Sequence, residues 1–311
     1  MTSLKVSPEQ FATWRERMCG LGFLDMAAAP NHEVVYERRV RDWVAQGFHA
    51  DMHWYARGLE KRFDLSLVMD DAASVIILTA PYHPEPVTLA GHKLARYAAG
   101  DDYHDVLLKP LIEFCHWACA QIPGAKMRAY VDTGPVLERY WAERAGLGWI
   151  GKNGNLISRK AGSYIFLSSI VTNLTVPYGE PHGNFCGTCR ACIDACPTEA
   201  IVADGMVDSR KCISYLNIEH RGEFPEETPP FDDWVFGCDI CQEVCPWPNK
   251  FSQESALDAF LPRDAYQDVS GDELLMFEQE QFSTLFRKSP IKRTKMAGVK
   301  RNIDWLKREK G

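Results

Sequence analysis

Cysteine spacing is the feature that most constrains this chain of 311 residues, because eight of its eleven cysteines lie between positions 186 and 245. The first run is Cys186-Gly-Thr-Cys189-Arg-Ala-Cys192-Ile-Asp-Ala-Cys196-Pro197. The second run is Cys238-Asp-Ile-Cys241-Gln-Glu-Val-Cys245-Pro246, and Cys212 stands between the two. Thiols at these spacings predict that the segment folds around inorganic centres.

The first run has the spacing C-x2-C-x2-C-x3-C-P of bacterial two-cluster ferredoxins, in which three thiolates bind one cluster and the fourth binds the other. The second run lacks one residue of that pattern, and Cys212 is placed to supply it. The spacing therefore predicts two [4Fe–4S] clusters. One would be bound by Cys186, Cys189, Cys192 and Cys245, and the other by Cys196, Cys212, Cys238 and Cys241.

Two structural zinc sites are the alternative, since C-x2-C pairs also build zinc ribbons. The third cysteine of the first run, the proline after each final cysteine and the scarcity of histidine in the runs favour clusters. Disulfides are disfavoured because a chain of this length can bury a large core without them. No export signal is recognisable and the longest apolar runs are too short to span a bilayer, so we expect a cytoplasmic protein without a membrane span.

The pattern of the first 180 residues predicts an α+β fold, with short strands and helices interleaved. Ser7 followed by Pro8 is typical of a helix start. The β-branched run at residues 74–79 predicts a buried strand, and residues 127–131 predict another. Residues 133–145 then predict a helix, with Pro135 in its first turn and a glycine just past its end.

The end of the chain is strongly basic. Residues 287–310 carry ten Lys or Arg and two acids, a local charge of +8 that leaves −15 for the rest of a chain whose net charge is −7. A solvated helix face is one explanation. Residues 287–295, however, contain hydroxyls and a proline and are not regularly amphipathic, which suits contacts with nucleic-acid phosphates.

The segment Gly146-Leu-Gly148-Trp-Ile-Gly151 matches the G-x-G-x-x-G of dinucleotide sites. That motif must follow a strand and open a helix, whereas these glycines follow a predicted helix. We interpret the segment as a glycine-rich turn that lies flat against a large ligand, with Lys152, Asn153 and Gly154 supplying polar contacts.

Asp132 is the candidate acid, because it lies where the strand at residues 127–131 joins the following helix. The alternative is a plain N-cap, which spacing alone favours. An N-cap would lower the pKa of this carboxyl, whereas a proton donor needs the pKa raised by burial.

Several segments together resemble the epoxyqueuosine reductases, over essentially the whole chain. They are Ser74-Val-Ile-Ile, Ala95-Arg-Tyr-Ala with Asp102-Tyr-His, Val131-Asp-Thr-Gly-Pro-Val-Leu-Glu-Arg, Ala145-Gly-Leu-Gly-Trp-Ile-Gly-Lys-Asn, both cysteine runs and Ser289-Pro-Ile-Lys-Arg-Thr-Lys. The resemblance implies an iron–sulfur and cobalamin enzyme that reduces epoxyqueuosine at the wobble position of a tRNA. Its fold would join a nitroreductase-like cobalamin domain to a ferredoxin-like module.

The resemblance also implies roles for particular residues and partners. Asp132 would be the proton donor, and electrons from an external donor would pass through both clusters to cobalamin. The candidate cofactor contacts are Gly148, Gly151, Lys152, Asn153, Gly154, Ser163, Arg96 and Tyr97. The candidate tRNA contacts are Tyr103, His104, Lys292, Arg293 and Lys295.

For the chain as a whole we expect a monomer in three parts. These are a cobalamin-binding catalytic domain over residues 1–180, a dicluster domain over 181–250 and a helical segment with a basic, tRNA-binding end over 251–311. Longer members of the family continue into helical repeats that help to bind tRNA, and this sequence stops at Gly311.

Two other functions would use a similar set of cofactors. A reductive dehalogenase would act on small organohalides, but such enzymes typically carry a twin-arginine export signal that is not found here. A dicluster electron-transfer subunit would need neither cobalamin nor a pocket, and it would leave the first 180 residues without a role.

Overall fold

The strands of this protein are short, and among the residues that the structure describes only Ser74–Pro81 and Ile165–Thr172 reach eight residues. The computed structural model describes residues 4–82 and 85–310. Within them the strands are β1 (Asp25–Pro30), β2 (Ser74–Pro81), β3 (Val87–Leu89), β4 (His92–Leu94), β5 (Met127–Tyr130), β6 (Trp149–Ile150), β7 (Leu156–Ile157), β8 (Ile165–Thr172), β9 (Ile201–Ala203), β10 (Met206–Val207) and β11 (Trp234–Phe236).

A four-stranded antiparallel sheet, in the order β1-β2-β8-β5, forms the centre of the first half of the chain. Every residue of β2 is buried, and β2 pairs with β8 from Ser74–Thr172 to Pro81–Ile165. A strand that is covered on both faces needs a continuous apolar run rather than an alternating one. The strands predicted at residues 74–79 and 127–131 are confirmed.

Within the described part of the chain two helices have 16 or 17 residues, and the others have 12 or fewer. The helices are α1 (Pro8–Cys19), α2 (Glu37–Ala45), α3 (His53–Ala56), α4 (Leu59–Phe63), α5 (Tyr103–Cys119), α6 (Glu138–Arg144), α7 (Ala191–Asp194), α8 (Ile213–Ile218), α9 (Ile240–Glu243), α10 (Pro246–Phe251), α11 (Gly271–Met276), α12 (Gln279–Leu285) and α13 (Lys295–Lys310). Short 3-10 helices lie at Leu65–Leu67, Arg96–Ala98, Asp258–Phe260, Asp264–Tyr266 and Pro290–Thr294.

Side-chain caps set the starts of α1 and α5, the two helices that pack with the four-stranded sheet in one hydrophobic core. The Ser7 side chain accepts a hydrogen bond from the backbone N–H of Gln10, which confirms the predicted cap of α1. Asp102 caps α5 by accepting from the N–H of His104. Trp14 of α1 and Phe114 of α5 then meet edge to face, with ring centroids 5.5 Å apart.

The helix predicted from Thr133 begins only at Glu138, so its predicted start is wrong. Asp132 has φ 57°, a left-handed conformation that no helix continues. A Cβ added to Gly134 would lie 2.4 Å from the Tyr130 ring, so the loop folds tightly back onto the end of β5. Asp132 is therefore not an N-cap, and the residue before α6 is Leu137.

Residues of the second half share a core with the first half. β11 pairs in parallel with β4, and β4 with β3, so the sheet joins residues 87–94 to residues 234–236. α13 packs against β11, and helices α11 to α13 confirm the helical character predicted beyond residue 251. β9 and β10 pair as a hairpin around Asp204 and Gly205. The three-part division of the chain stays a prediction.

None of the helices in residues 4–82 and 85–310 combines the length and the apolar character needed to cross a membrane.

Candidate active site

A cavity of about 620 Å³ is lined by residues of α2, α3, α6, β8 and β10 and by the loop that precedes α6. This is the size range of small-molecule and cofactor pockets. Much of its wall is aromatic, and the charged side chains of Arg39, Arg62, Asp132, Glu138 and Arg139 also line it. The aromatic side chains are Tyr36, Trp43, Trp54, Tyr55, Tyr82, Tyr97, Tyr103, Tyr140 and Phe166.

Asp132 lines this cavity, and its side chain is 62% exposed to it. The Tyr103 hydroxyl donates a hydrogen bond to Oδ2 of Asp132 at 3.2 Å. Nε2 of His104 lies 3.4 Å from the same oxygen, and Nδ1 of His104 lies 2.7 Å from Oδ1 of Asp102. The imidazole therefore bridges two carboxylates, one at the helix cap and one in the cavity.

These contacts determine which of the side chains around Asp132 carries a proton. Burial opposes a charge on His104, but the hydrogen bonds and charges of Asp102 and Asp132 raise the pKa of His104 to about 9. Burial also opposes a charge on Asp132, but His104 and the Tyr103 hydroxyl lower the pKa of Asp132. At neutral pH the imidazole is protonated and Asp132 is ionised. The raised pKa expected of Asp132 as a proton donor is therefore found on His104 instead.

Tyr103 and His104, predicted as tRNA contacts, are half-buried beside Asp132. The Tyr103 ring stacks between the His104 ring and the Phe166 ring, with centroids 4.1 and 4.4 Å away. Stacking on both faces fixes the Tyr103 hydroxyl on Asp132. Both residues belong to the immediate surroundings of the candidate acid.

Glu138 is a site residue that the sequence reasoning missed. Its Oε1 accepts hydrogen bonds from the backbone N–H of Asp132 at 3.3 Å and from the Ser169 hydroxyl at 3.1 Å. Burial raises the pKa of Glu138 to about 8, and the neighbouring Asp132 charge adds to this effect. Its presence in the same short segment as Asp132 was the only signal for it in the sequence.

Gly148 and Gly151 of the glycine-rich segment are not among the residues that line the cavity. A Cβ on Gly148 would lie 2.2 Å from the Ile157 carbonyl oxygen, and one on Gly151 would lie 2.5 Å from Cδ1 of Ile157. These glycines let β6 approach β7 closely, which is a packing role. Gly154 does line the cavity, and its carbonyl accepts from Nη1 of Arg139 at 2.6 Å.

Of the other predicted cofactor contacts, some line the cavity and others lie elsewhere. Ser163 and Tyr97 line the cavity. Lys152 and Asn153 instead line a small void of about 50 Å³ beside the first cysteine run, and the Asn153 amide donates to the Cys241 carbonyl at 3.2 Å. Arg96 is buried in ion pairs with Asp239 and Glu243, so its charge is directed at α9 and the residue before it.

The eight thiols of the cysteine segment form two neighbouring groups. Burial, followed by the thiols of Cys245, Cys186 and Cys189, raises the pKa of Cys192. In the second group burial raises the pKa of Cys238, and the thiols of Cys212 and Cys196 add to it. Burial also raises the pKa of Cys241, and the thiols of Cys238, Cys212 and, from the first group, Cys192 add to it. Apart from the interaction between Cys192 and Cys241, these interactions agree with the two sets that the spacing predicts, and the ligand assignment itself stays a prediction. α7 packs against α9.

Both groups also receive hydrogen bonds from the surrounding protein. Nε1 of Trp149 donates to Cys186 Sγ at 3.4 Å, and the Ala200 N–H donates to Cys196 Sγ at 3.4 Å. Over the described part of the chain, no three His, Cys, Asp or Glu side chains converge closely enough to hold a single metal ion. In a cubane cluster each thiolate binds a different iron.

The basic end of the chain reaches the rim of the cavity at Arg293. Its guanidinium pairs with Glu219 at 2.8 Å and lies 6.0 Å from the ring of Trp54, a cavity residue that is 45% exposed. Lys292 and Lys295 are exposed and have no ion pair within the residues described. Part of the basic charge is structural, since Arg301 donates to the carbonyls of His220 and Gly222.

Known proteins resemble this chain in both sequence and fold. Two family models match the chain, "Epoxyqueuosine reductase QueG, DUF1730" over residues 62–133 and "4Fe-4S double cluster binding domain" over residues 185–248. The epoxyqueuosine reductase of Cellulophaga algicola is 43% identical over 293 residues, which cover 92% of this chain and 94% of that protein. This chain belongs to the epoxyqueuosine reductase family. It is an oxidoreductase with a double 4Fe-4S cluster binding domain.

Other members of the family extend the comparison. The epoxyqueuosine reductase of Synechocystis is 42% identical over 287 residues, covering 91% of this chain and 98% of that protein. The structure of epoxyqueuosine reductase from Streptococcus thermophilus superposes with a TM-score of 0.83 at 25% identity, covering 95% of this chain and 80% of that one. An epoxyqueuosine reductase with a tRNA-Tyr epoxyqueuosine-modified stem loop shares the fold, with a TM-score of 0.85 at 24% identity, over 96% of this chain and 80% of that one. The predicted α+β class is confirmed.

Proposed function

We propose that this protein reduces epoxyqueuosine to queuosine at the wobble position of a tRNA. The observation that carries the proposal is the aromatic cavity in which Asp132 contacts a protonated His104. Relatives that match almost the whole chain are named for this reaction. One protein of the same fold was solved with an epoxyqueuosine-modified tRNA stem loop.

Cobalamin is the cofactor that the family resemblance implies, and the residues around the cavity fit a large ligand. The Ser163 hydroxyl lies buried in the wall and has no hydrogen-bond partner within the described residues. Gly154 offers backbone without a side chain at φ 80°. We propose that Ser163, Gly154 and Tyr97 hold the cofactor. When bound, cobalamin supplies a reduced metal centre that delivers electrons to the epoxide.

The two cysteine sets would act in series between an external one-electron donor and the cavity. Cys189 of the first set is exposed, so that set is the point of entry. Gln242, next to Cys241 of the second set, lines the cavity, so that set is the point of exit. The ligands of each cluster would be the four cysteines of each set.

Asp132 would donate a proton to the oxygen that leaves the substrate. Because Asp132 is ionised at neutral pH, it first takes a proton from the adjacent His104 imidazolium, which Asp102 holds in place. A general acid of this kind typically contributes a factor of about 10² to 10⁴ in rate.

The tRNA would be held at the rim of the cavity. Lys292, Arg293 and Lys295 would contact backbone phosphates, and the exposed ring of Trp54 would stack on a base. The wobble base would leave its stack and enter the cavity, where Tyr103 and His104 lie beside Asp132. We further propose that the protein works as a monomer in the cytoplasm.

Reconstitution tests this function. The purified protein is loaded with iron, sulfide and cobalamin, reduced, and mixed with tRNA that carries epoxyqueuosine, and the nucleosides are then analysed by mass spectrometry. We expect queuosine to form and the product to be lost when cobalamin is omitted. Cobalamin-dependent loss of halide from small organohalides, with the tRNA unchanged, would favour the dehalogenase alternative. Cluster loading with neither cobalamin binding nor turnover would favour the electron-transfer subunit.

A further inference from the structure

Glu138 holds the loop that carries Asp132. Its Oε1 accepts both the Asp132 N–H and the Ser169 hydroxyl, at 3.3 and 3.1 Å. Asp132 takes a left-handed φ of 57°, a conformation that side chains with a Cβ rarely adopt. Because the Glu138 side chain also lines the cavity, it binds the backbone of Asp132 and borders the space for the substrate.

The other oxygen of Glu138, Oε2, makes no hydrogen bond within the residues that the structure describes. The charged and titratable groups that act on this carboxyl are Asp132 from the loop and His104 and Tyr103 from α5. Burial raises the pKa of Glu138 to about 8, and the charge of Asp132 adds to the effect while Ser169 and His104 oppose it. At neutral pH the group is a neutral acid. Since Oε1 accepts two donors, the proton belongs on Oε2.

The proposed reaction requires more than one proton. Removing an epoxide oxygen as water breaks two C–O bonds, forms one C=C bond and consumes two electrons and two protons. The electrons come from an external one-electron donor through the two clusters. The relay from His104 through Asp132 supplies one proton, so a second source is needed in the cavity.

We propose that Glu138 is the second acid of this site: it fixes Asp132 through Oε1 and supplies the second proton from Oε2. The proposal rests on the proposed function and deepens it, because it identifies the group that completes the conversion of the oxygen to water.

Three variants separate the two roles of Glu138. Glu138→Gln keeps an acceptor at Oε1 but has no proton to give, whereas Glu138→Ala removes both. Ser169→Ala is the matched control, because it removes only one partner of Oε1. Single-turnover rates of the reduced, loaded enzyme are measured from about pH 6 to about pH 10, together with iron content, cobalamin binding and tRNA affinity.

We expect the alkaline limb of the wild-type and Ser169→Ala profiles to contain two ionisations, and that of Glu138→Gln only one. At neutral pH the Glu138→Gln rate should fall by about 10²-fold, with unchanged iron, cobalamin and tRNA binding. Glu138→Ala should fall further because Asp132 is also displaced. A Glu138→Gln profile that superimposes on the wild type overturns the proposal. So does a loss of rate that merely follows lost cofactor or tRNA binding.

An infrared titration separates failure of this proposal from failure of the proposed function, because it needs no turnover. The carbonyl band of a protonated carboxyl should disappear with a midpoint near pH 8 in the wild type and be absent from Glu138→Gln. Finding no such band overturns the assignment of Glu138 even where the enzyme converts epoxyqueuosine. Finding it in an enzyme that does not convert epoxyqueuosine leaves Glu138 as an acid and refutes the reaction.

Discussion

Replacing Asp102 by Asn should move the pH at which the enzyme loses activity. Asp102 caps α5 and contacts Nδ1 of His104 at 2.7 Å. Asn caps a helix about as well as Asp, so Asp102→Asn removes the charge beside the imidazole and leaves the helix start intact. Without that charge, burial lowers the pKa of His104 towards its ordinary value of 6.5.

The size of the effect follows from the protonated fraction of His104. With a pKa of about 9, about 90% of the imidazole is protonated at about pH 8, whereas only about 3% would be at the ordinary value of 6.5. The single-turnover rate of Asp102→Asn at that pH should therefore fall by up to about 30-fold. Because Asp132 still holds the other nitrogen, the fall should stay below this limit. Near pH 6 the two rates should differ by less than about twofold.

The assay is the conversion of epoxyqueuosine in tRNA by the reduced, loaded enzyme across the pH range. Asp105→Asn is the matched control, because it removes an acid from the same first turn of α5 without touching His104. Stability gives a second readout. A pKa that is raised on folding stabilises the folded state below about pH 6.5, and this contribution is lost as the pH rises through about 9. An Asp102→Asn rate profile that keeps the wild-type alkaline limb would refute the role of His104.

Two further predictions concern the rim and the glycine-rich segment. Replacing both Lys292 and Lys295 by Ala should weaken tRNA binding. It should also reduce the slope of log affinity against log salt concentration by about 0.9 or less per lost contact. Lys109→Ala, an exposed cation of α5, is the control, and an unchanged salt slope in the double variant would restore the solvated-face explanation. Gly148→Ala should lower the melting temperature without changing the affinity for cobalamin, because its Cβ would lie 2.2 Å from the Ile157 carbonyl oxygen. Weakened cobalamin binding at an unchanged melting temperature would instead favour the original ligand-contact interpretation.

Features set by local chemistry were predictable from the sequence. The cap at Ser7 and the buried strand β2 depend on neighbouring residues, and both are confirmed. The assignment of the thiols to two clusters also comes from spacing, and it stays a prediction.

The start of α6 could not be predicted in the same way. Pro135 suits the first turn of a helix, but the loop before α6 instead folds onto Tyr130 and gives Asp132 a left-handed conformation. The packing role of the glycine-rich segment could not be predicted for a similar reason. Its glycines are required by the approach of β7, a partner that only the folded chain supplies.

The contacts and protonation states around Asp132 were the features least predictable from the sequence. His104 is 28 positions from Asp132 in the chain, and Ser169 is 31 from Glu138. These contacts exist because α5, α6 and β8 pack around one cavity, so a single sequence cannot reveal them. The same contacts reverse the expected protonation, placing the charge on Asp132 and the proton on His104.

The most direct test of this account is the single-turnover rate of Asp132→Asn in the reduced enzyme with both clusters and cobalamin bound. Asn tolerates the left-handed backbone at this position, so the loop should keep its conformation while losing its acid. We predict that iron content, cobalamin binding and tRNA affinity stay at wild-type values while the conversion of epoxyqueuosine falls by at least about 10²-fold. A conversion rate within about twofold of the wild type would contradict the assignment of Asp132 as the group that protonates the leaving oxygen.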